Sequence, residues 1–190
     1  MALPKIETPT YELTLPSQDT KIKYRPFLVK EEKVLLMASE TGQQKEMIQA
    51  VKDIVSTCTF NELNASSLPI FDLEYVFLQI RAKSVGEVSK FKVLCPDDKQ
   101  TYAEAEVDLS KVEVQVDDGH TNKVILDEKR NLGVVFTYPT VDTVSVGDDV
   151  QADSKTLFKV LVNCIDHIFE GDKTYPAKDS TKEELDKFVE

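Results

Sequence analysis

Hydrophobic periodicity assigns this chain to the α+β class. Apolar residues alternate over 11–24, fall at three-and-four spacing over 29–86, return to β-type alternation over 88–138, and turn helical again after 149. The expected arrangement is N-terminal strands and a three-helix segment, a central antiparallel β region, and C-terminal helices. It is expected as one domain over 1–190, with a helical core at 29–86 and 149–190 and a β-rich insert at 87–139.

The first element is a hairpin or pair of short strands. Tyr11, Leu13 and Leu15 alternate with polar residues, Ser17-Gln18-Asp19-Thr20 supplies a turn, and Ile22 and Tyr24 resume the alternation. Pro26 ends the second strand because it has no N–H to donate. Helical spacing starts at Val29, with Val34, Leu35, Met37 and Ala38 on one face and Thr41-Gly42 as the stop. A second helix from about Gln43 carries Met47, Ile48, Val51, Ile54, Val55 and Cys58. A third opens at Ser66-Ser67 with Pro69 in its first turn and ends near Gly86.

The β-rich middle is expected as strands at 88–95, 102–109, 112–116, 123–126 and 133–138. Pro96-Asp97-Asp98, Asp117-Asp118-Gly119 and Asn131-Leu132-Gly133 supply turn signals between them. Pairing of 88–95 with 102–109 makes a hairpin. Residues 149–169 are expected as a helix with Leu157, Val160, Leu161, Cys164, Ile165 and Ile168 as its buried stripe. A capping box at Ser180-Thr181-Lys182-Glu183 opens the last helix, whose Leu185, Phe188 and Val189 form an apolar stripe for the domain or for a partner. The Ile48–Cys58 and Ser154–Cys164 segments are alike, each an amphipathic helix ending in Cys. One pair falls short of a repeat array.

Composition narrows the function. A net charge of −11, from 34 acidic and 23 basic residues, repels a phosphate backbone, so nucleic acid is not an expected partner. The densest basic cluster, Lys21, Lys23, Arg25, Lys30 and Lys33, is interrupted by Glu31 and Glu32 and reads as a solvated face. Six glycines and no Trp argue against a Gly-rich phosphate loop or a turn-dense barrel. No apolar run approaches the roughly 18 residues of a membrane span, and no apolar leader is present, so no membrane partner is expected. Cys58, Cys95 and Cys164 are expected as reduced thiols of a cytosolic protein.

The catalytic inventory is thin. Cys164 and His167 stand at i and i+3, but zinc needs three or four ligands. Cys95-Pro96-Asp97-Asp98 has the outline of a zinc knuckle with Asp98 in the second Cys position. Cys95 is thus a weak metal candidate, the plainer reading being a small residue at a strand end. Ser84-Val85-Gly86 lacks the first glycine of a nucleophile elbow. Nothing singles out a Cys95–His120 pair among possible Cys–His arrangements. The acidic pairs Asp117-Asp118, Asp127-Glu128 and Asp148-Asp149 fall at turns, where Asp bonds its own backbone. The expectation is a protein that is not an enzyme, with no catalytic residue, cofactor or bound metal.

A family resemblance rests on the order of several segments. Lys23–Leu36 reads Lys-Tyr-Arg-Pro-Phe-Leu-Val-Lys-Glu-Glu-Lys-Val-Leu-Leu, a strand, an Arg-Pro and a helix start. It is followed by the helix ending at Cys58, the 72–81 helix, Ala82-Lys-Ser-Val-Gly86 and the strand ending at Cys95. The 163–172 and 183–188 segments complete the order. Over roughly 20–190 the chain resembles the T4-like bacteriophage baseplate protein family, most like its baseplate hub subunit or hub assembly protein. Related sequences often carry C-x-x-C after the strand, where this chain has Asp98.

The resemblance implies a non-enzymatic hub subunit or hub assembly protein. It would act through contacts with other phage baseplate hub proteins, in the host cytoplasm during assembly or in the virion tail baseplate. Leu185, Phe188 and Val189 are the candidate partner-binding residues. The alternative is a regulatory binding module with a degenerate zinc-ribbon hairpin at 88–108; a cysteine hydrolase using Cys95 is a third reading.

Overall fold

A computed structural model describes residues 8–144 and 154–189. The architecture is α+β, as the periodicity predicts, and the chain forms two compact units, 1–114 and 115–190. The stretch 87–139, read from sequence as one insert, is divided between them.

The first unit begins with strands β1 (Tyr11–Thr14) and β2 (Lys21–Tyr24), paired antiparallel with Leu13 opposite Ile22. Helices α1 (Val29–Thr41), α2 (Gln44–Cys58) and α3 (Ile70–Val85) follow. Gly42, at φ 66°, takes the left-handed conformation that stops α1. Leu15, Ile22 and Tyr24 from the hairpin are buried together with Ile54, Val55 and Cys58 of α2 and Val76 and Ile80 of α3. Pro69 sits at the N-cap of α3, so the helix starts a few residues later than Ser66-Ser67 suggests.

Two carboxylates tie this unit together. Asp72, fully buried in the first turn of α3, accepts the Ser17 backbone N–H at 3.1 Å and the Ser17 hydroxyl, joining the β1–β2 turn to the helix. Negative charge is favoured at that helix end. Glu31 lies in the first turn of α1, where one oxygen accepts the Leu28 N–H at 2.7 Å and the other meets Arg25 Nη2 at 3.0 Å. The Arg25 backbone N–H in turn donates to the Cys58 carbonyl at 2.9 Å. The Arg-Pro and Glu-Glu pattern at the strand-to-helix junction is therefore a structural clamp.

The hairpin β3 (Val88–Leu94) and β4 (Tyr102–Asp108) closes the unit, followed by a short 3-10 turn at Leu109–Lys111 that packs against α3. Residues 112–116, expected as a strand, form no ladder. Their alternation of Val with polar residues falls where the chain passes from one unit to the other, and no strand pairs with them.

The second unit is a four-stranded antiparallel sheet in the order β5 (Lys123–Asp127), β6 (Leu132–Phe136), β7 (Ile165–Glu170), β8 (Lys173–Pro176). A four-residue helix α4 (Val141–Val144) and helix α5 (Ser154–Asn163) stand between β6 and β7, and α6 (Lys182–Val189) ends the unit. The helix expected over 149–169 is shorter than its periodicity suggests. It ends at Asn163, and the Ile165–Glu170 segment pairs on both sides with β6 and β8. Its buried stripe also differs: Val162, Cys164 and Ile165 are buried, while Leu157 and Leu161 are exposed. Three-and-four spacing across 157–168 is compatible with a helix, but sheet pairing decides the conformation of its second half. Asp148-Asp149 lies outside the described residues.

The capping box of α6 is displaced by one residue. Thr181, not Ser180, opens the helix: its N–H and hydroxyl donate to the Glu184 carboxylate at 2.8 and 2.9 Å, and the Glu184 N–H returns a bond at 3.3 Å. Leu185 of α6 then joins Val134, Val162 and Ile165 in the core, with Phe136, Ile168, Phe188 and Val189 packed around them. On the sheet itself Gly133 pairs with Phe169, whose ring fills the space a side chain would need. A Cβ on Gly133 would fall 2.4 Å from that ring and 2.5 Å from the Val124 carbonyl.

Two outcomes test this account. Gly133→Ala forces backbone and Phe169 apart and should lower unfolding stability by about 1–3 kcal/mol in urea denaturation. Glu31→Ala leaves Arg25 without its partner and should cost about 3 kcal/mol. Burial alone would raise the Glu31 pKa, but the Arg25 and Leu28 hydrogen bonds and the Arg25 charge outweigh it and hold it below its usual 4.5. A depressed carboxylate contributes stability that is complete above pH 4.5 and lost as pH falls through the folded-state value. Glu31→Gln should accordingly flatten the stability profile below that pH, and an unchanged acid limb would contradict the assignment.

Candidate functional site

The β3–β4 hairpin has one face that is apolar apart from Ser89 and one that mixes charged residues with Val88, Leu94 and Tyr102. Antiparallel register sets Lys90 opposite Glu106 and Lys92 opposite Glu104, so these four point to one side. Lys90 and Glu106 form an ion pair at 2.6 Å. The other side carries Phe91 opposite Ala105, Val93 opposite Ala103, and Val107 opposite Ser89. This apolar face is uncovered: Phe91, Val93 and Val107 remain 46%, 45% and 38% exposed. Large side chains on β3 facing alanines on β4 leave a step over the second strand.

The hairpin tip explains Asp98. Its Oδ1 accepts the Gln100 and Thr101 N–H groups, each at 3.0 Å, and its Oδ2 accepts the Thr101 hydroxyl. The Thr101 hydroxyl and these backbone donors hold its carboxyl down at about 2. Cys95 closes the same turn, its N–H donating to Thr101 O at 2.8 Å and its carbonyl accepting from Lys99 N at 3.0 Å. The position that would complete a C-x-x-C pair is thus occupied by a turn-forming carboxylate. Among the described residues no group of three His, Cys, Asp or Glu side chains is placed to hold a metal.

In the second unit a shallow cavity of about 400 Å³ is lined by Thr137, Asp166, His167, Thr174, Pro176 and Lys178, among others. Asp166 is the extra residue of a bulge in β7, since Val135 pairs with His167 and Phe136 with Ile165. A bulge re-aims side chains, and the Asp166 carboxylate lies 2.7 Å from His167 Nδ1. The arrangement orients an imidazole, but Thr137 directs its hydroxyl to the Cys164 carbonyl at 3.2 Å. The Cys164–His167 spacing is no longer that of one helix face: Cys164 is buried just beyond α5, and His167 is in a strand.

The remaining sequence candidates have structural partners. Burial raises the Cys164 thiol pKa, and burial raises that of Cys58 to about 11, so neither is a ready nucleophile. The Ser84 hydroxyl donates to Ile80 O at 2.6 Å and accepts the Phe27 N–H at 2.9 Å. His120 stacks on Tyr138 with ring centroids 5.9 Å apart and its Nε2 lies 3.0 Å from the Tyr138 hydroxyl. Cys95 belongs to the first unit and His120 to the second. Asp127 bonds the Lys129 and Arg130 N–H groups of its own turn.

The stripe on α6 is engaged within its own unit. Leu185 is buried, and Phe188 and Val189 are half-buried against the same core. Larger uncovered apolar surface lies elsewhere. Besides the hairpin it includes Val29, Leu36 and Met37 on α1, Val124–Leu126 on the outer strand β5, and Leu157, Phe158 and Leu161 on α5. Alternation at 88–94 and 102–108 signals the hairpin in the sequence; that its apolar side has no cover is visible only in three dimensions. Among the described residues no helix is long and apolar enough to cross a membrane.

Neither a curated protein nor a solved structure matches this chain. The family model described as T4 bacteriophage base plate protein matches residues 8–190, spanning both units. The chain therefore belongs to the T4 bacteriophage base plate protein family, and its role lies in the structure or assembly of the phage baseplate.

Proposed function

We propose that this protein is a subunit or assembly protein of the baseplate hub and acts by protein–protein contact without a catalytic step. The observation that carries the contact mechanism is the uncovered apolar face of the β3–β4 hairpin. A two-stranded hairpin is marginally stable in water, and an exposed apolar face is a surface awaiting cover. The hub, rather than the wedge or tail tube, is favoured by the shared order of segments from Lys23–Leu36 to Glu183–Phe188. A family match running through both units supports reading 1–190 as one baseplate-type domain.

The partners are other hub proteins, met in the host cytoplasm as tails assemble or in the finished virion tail. The half-buried Phe188 and Val189 at the end of α6 offer a second, smaller contact beside the buried Leu185. Neither metal nor cofactor enters this mechanism, and the net charge of −11 disfavours nucleic acid as a partner.

Pairwise co-expression with the hub and wedge proteins of one phage, followed by size-exclusion chromatography, tests the reading. Co-elution with at least one hub protein, and with no wedge protein, is expected. A chain that elutes alone in every hub pairing is not a hub component.

A further inference from the structure

We propose that the cavity beside the β7 bulge binds a carboxylate carried on a short apolar stem, held by Lys178, Thr174 and protonated His167. The proposal does not rest on the hub reading. The cavity, about 400 Å³, falls within the range of small-ligand sites. Antiparallel register assembles its wall: His167 stands opposite Pro176 and Phe169 opposite Thr174, so these four side chains share one side of the sheet. The 3-10 turn Ala177–Asp179 follows β8 and packs on β7, which brings Lys178 to the same cavity. Ile165, Pro176 and Ala177 supply apolar wall for a stem. Among the described residues the Lys178 amine and the Thr174 hydroxyl have no hydrogen-bond partner.

Charge balance selects the ligand. The Asp166 carboxylate lies 2.7 Å from His167 Nδ1 and so keeps a proton on that nitrogen. A neutral ring then carries a lone pair at Nε2, which repels a carboxylate, whereas the imidazolium carries an N–H donor there. Binding therefore takes up a proton at His167. The neighbouring β6 and β8 segments bring Thr137, Thr174 and Pro176 to the cavity, none of them titratable, so its charged groups are Lys178, Asp166 and His167. With the imidazole protonated these sum to a single positive charge, which a carboxylate neutralises and a phosphate dianion exceeds. The chain's net charge of −11 opposes any anion, but carboxylates beyond about 8 Å are largely screened at physiological salt.

The chain has two histidines, and His120, stacked on Tyr138, is an internal control for an NMR titration. Butyrate is added to the full-length chain at constant ionic strength while the ring signals of both histidines are followed. The His167 ring should shift saturably and the His120 ring should stay still. Binding should be roughly tenfold tighter at about pH 6 than at about pH 8, because imidazole side chains ordinarily change charge across that range. Lys178→Gln should weaken butyrate about tenfold, the factor equivalent to the ~1.4 kcal/mol of one charged hydrogen bond. Lys178→Arg should restore most of the affinity. Lys178 is exposed, so neither variant disturbs the core.

N-acetylglutamic acid α-amide, the same carboxylate on a peptide stem, separates the sources. Binding tighter than that of butyrate supports a site for an acidic side chain of another protein, and weaker binding supports one for a free small acid. Equal binding of butyramide, the uncharged isostere, overturns the carboxylate, as does inorganic phosphate that binds more tightly than butyrate. An unmoved His167 ring, equal affinity at both pH values, or undiminished binding by Lys178→Gln overturns the proposal.

Discussion

An apolar sheet face persists in water only when a second layer covers it, and the sheets of this protein meet that requirement unequally. In the second unit Val162 and Leu185 reach from α5 and α6 to Val134 and Ile165 of the sheet, and Phe136, Phe188 and Val189 fill in around them. In the first unit the β1–β2 hairpin is covered, with Leu13, Leu15, Ile22 and Tyr24 buried. The β3–β4 hairpin is held at its base, where Leu109 N–H bonds the Glu87 carbonyl at 2.7 Å and Leu109 is itself buried. Beyond that base its apolar face has no layer over it. Exposed ion pairs such as Lys90–Glu106 add little to its stability.

Charged groups in this fold mostly fix geometry. Asp72 joins a turn to a helix, Glu31 and Arg25 set the angle at which β2 leads into α1, and Asp98 shapes the hairpin tip. Each acts by giving backbone donors or a cation a nearby acceptor, which offsets the cost of leaving them unpaired. Among the described residues every buried side-chain nitrogen or oxygen has a hydrogen-bond partner. Polar residues that resemble fragments of active sites in sequence, including Ser84, His120 and Asp98, therefore have ordinary structural work.

A baseplate role fits this division of labour. Closed cores make each unit a stable building block, while the hairpin, α1 and α5 leave apolar side chains outside. The acidic surface opposes indiscriminate self-association.

The sequence by itself determined what depends on neighbours in the chain. Alternation announced β1 and β2, three-and-four spacing with Gly42 and Gly86 bounded the first three helices, and Pro96–Gln100 announced the hairpin turn. Asp98 stood out as the departure from a metal-binding pattern, although only its hydrogen bonds revealed its job. Tertiary structure decided the rest, because those outcomes depend on residues distant in sequence. Ile165–Glu170 has apolar spacing that suits a helix, yet pairing with both β6 and β8 makes it a strand. The Val-rich 112–116 segment has the pattern of a strand but no partner to complete its ladder. Which apolar stripes are covered is likewise a matter of packing. Leu185 found a core while Phe91 and Leu157 did not, because burial depends on the layer opposite and not on the residue's own pattern.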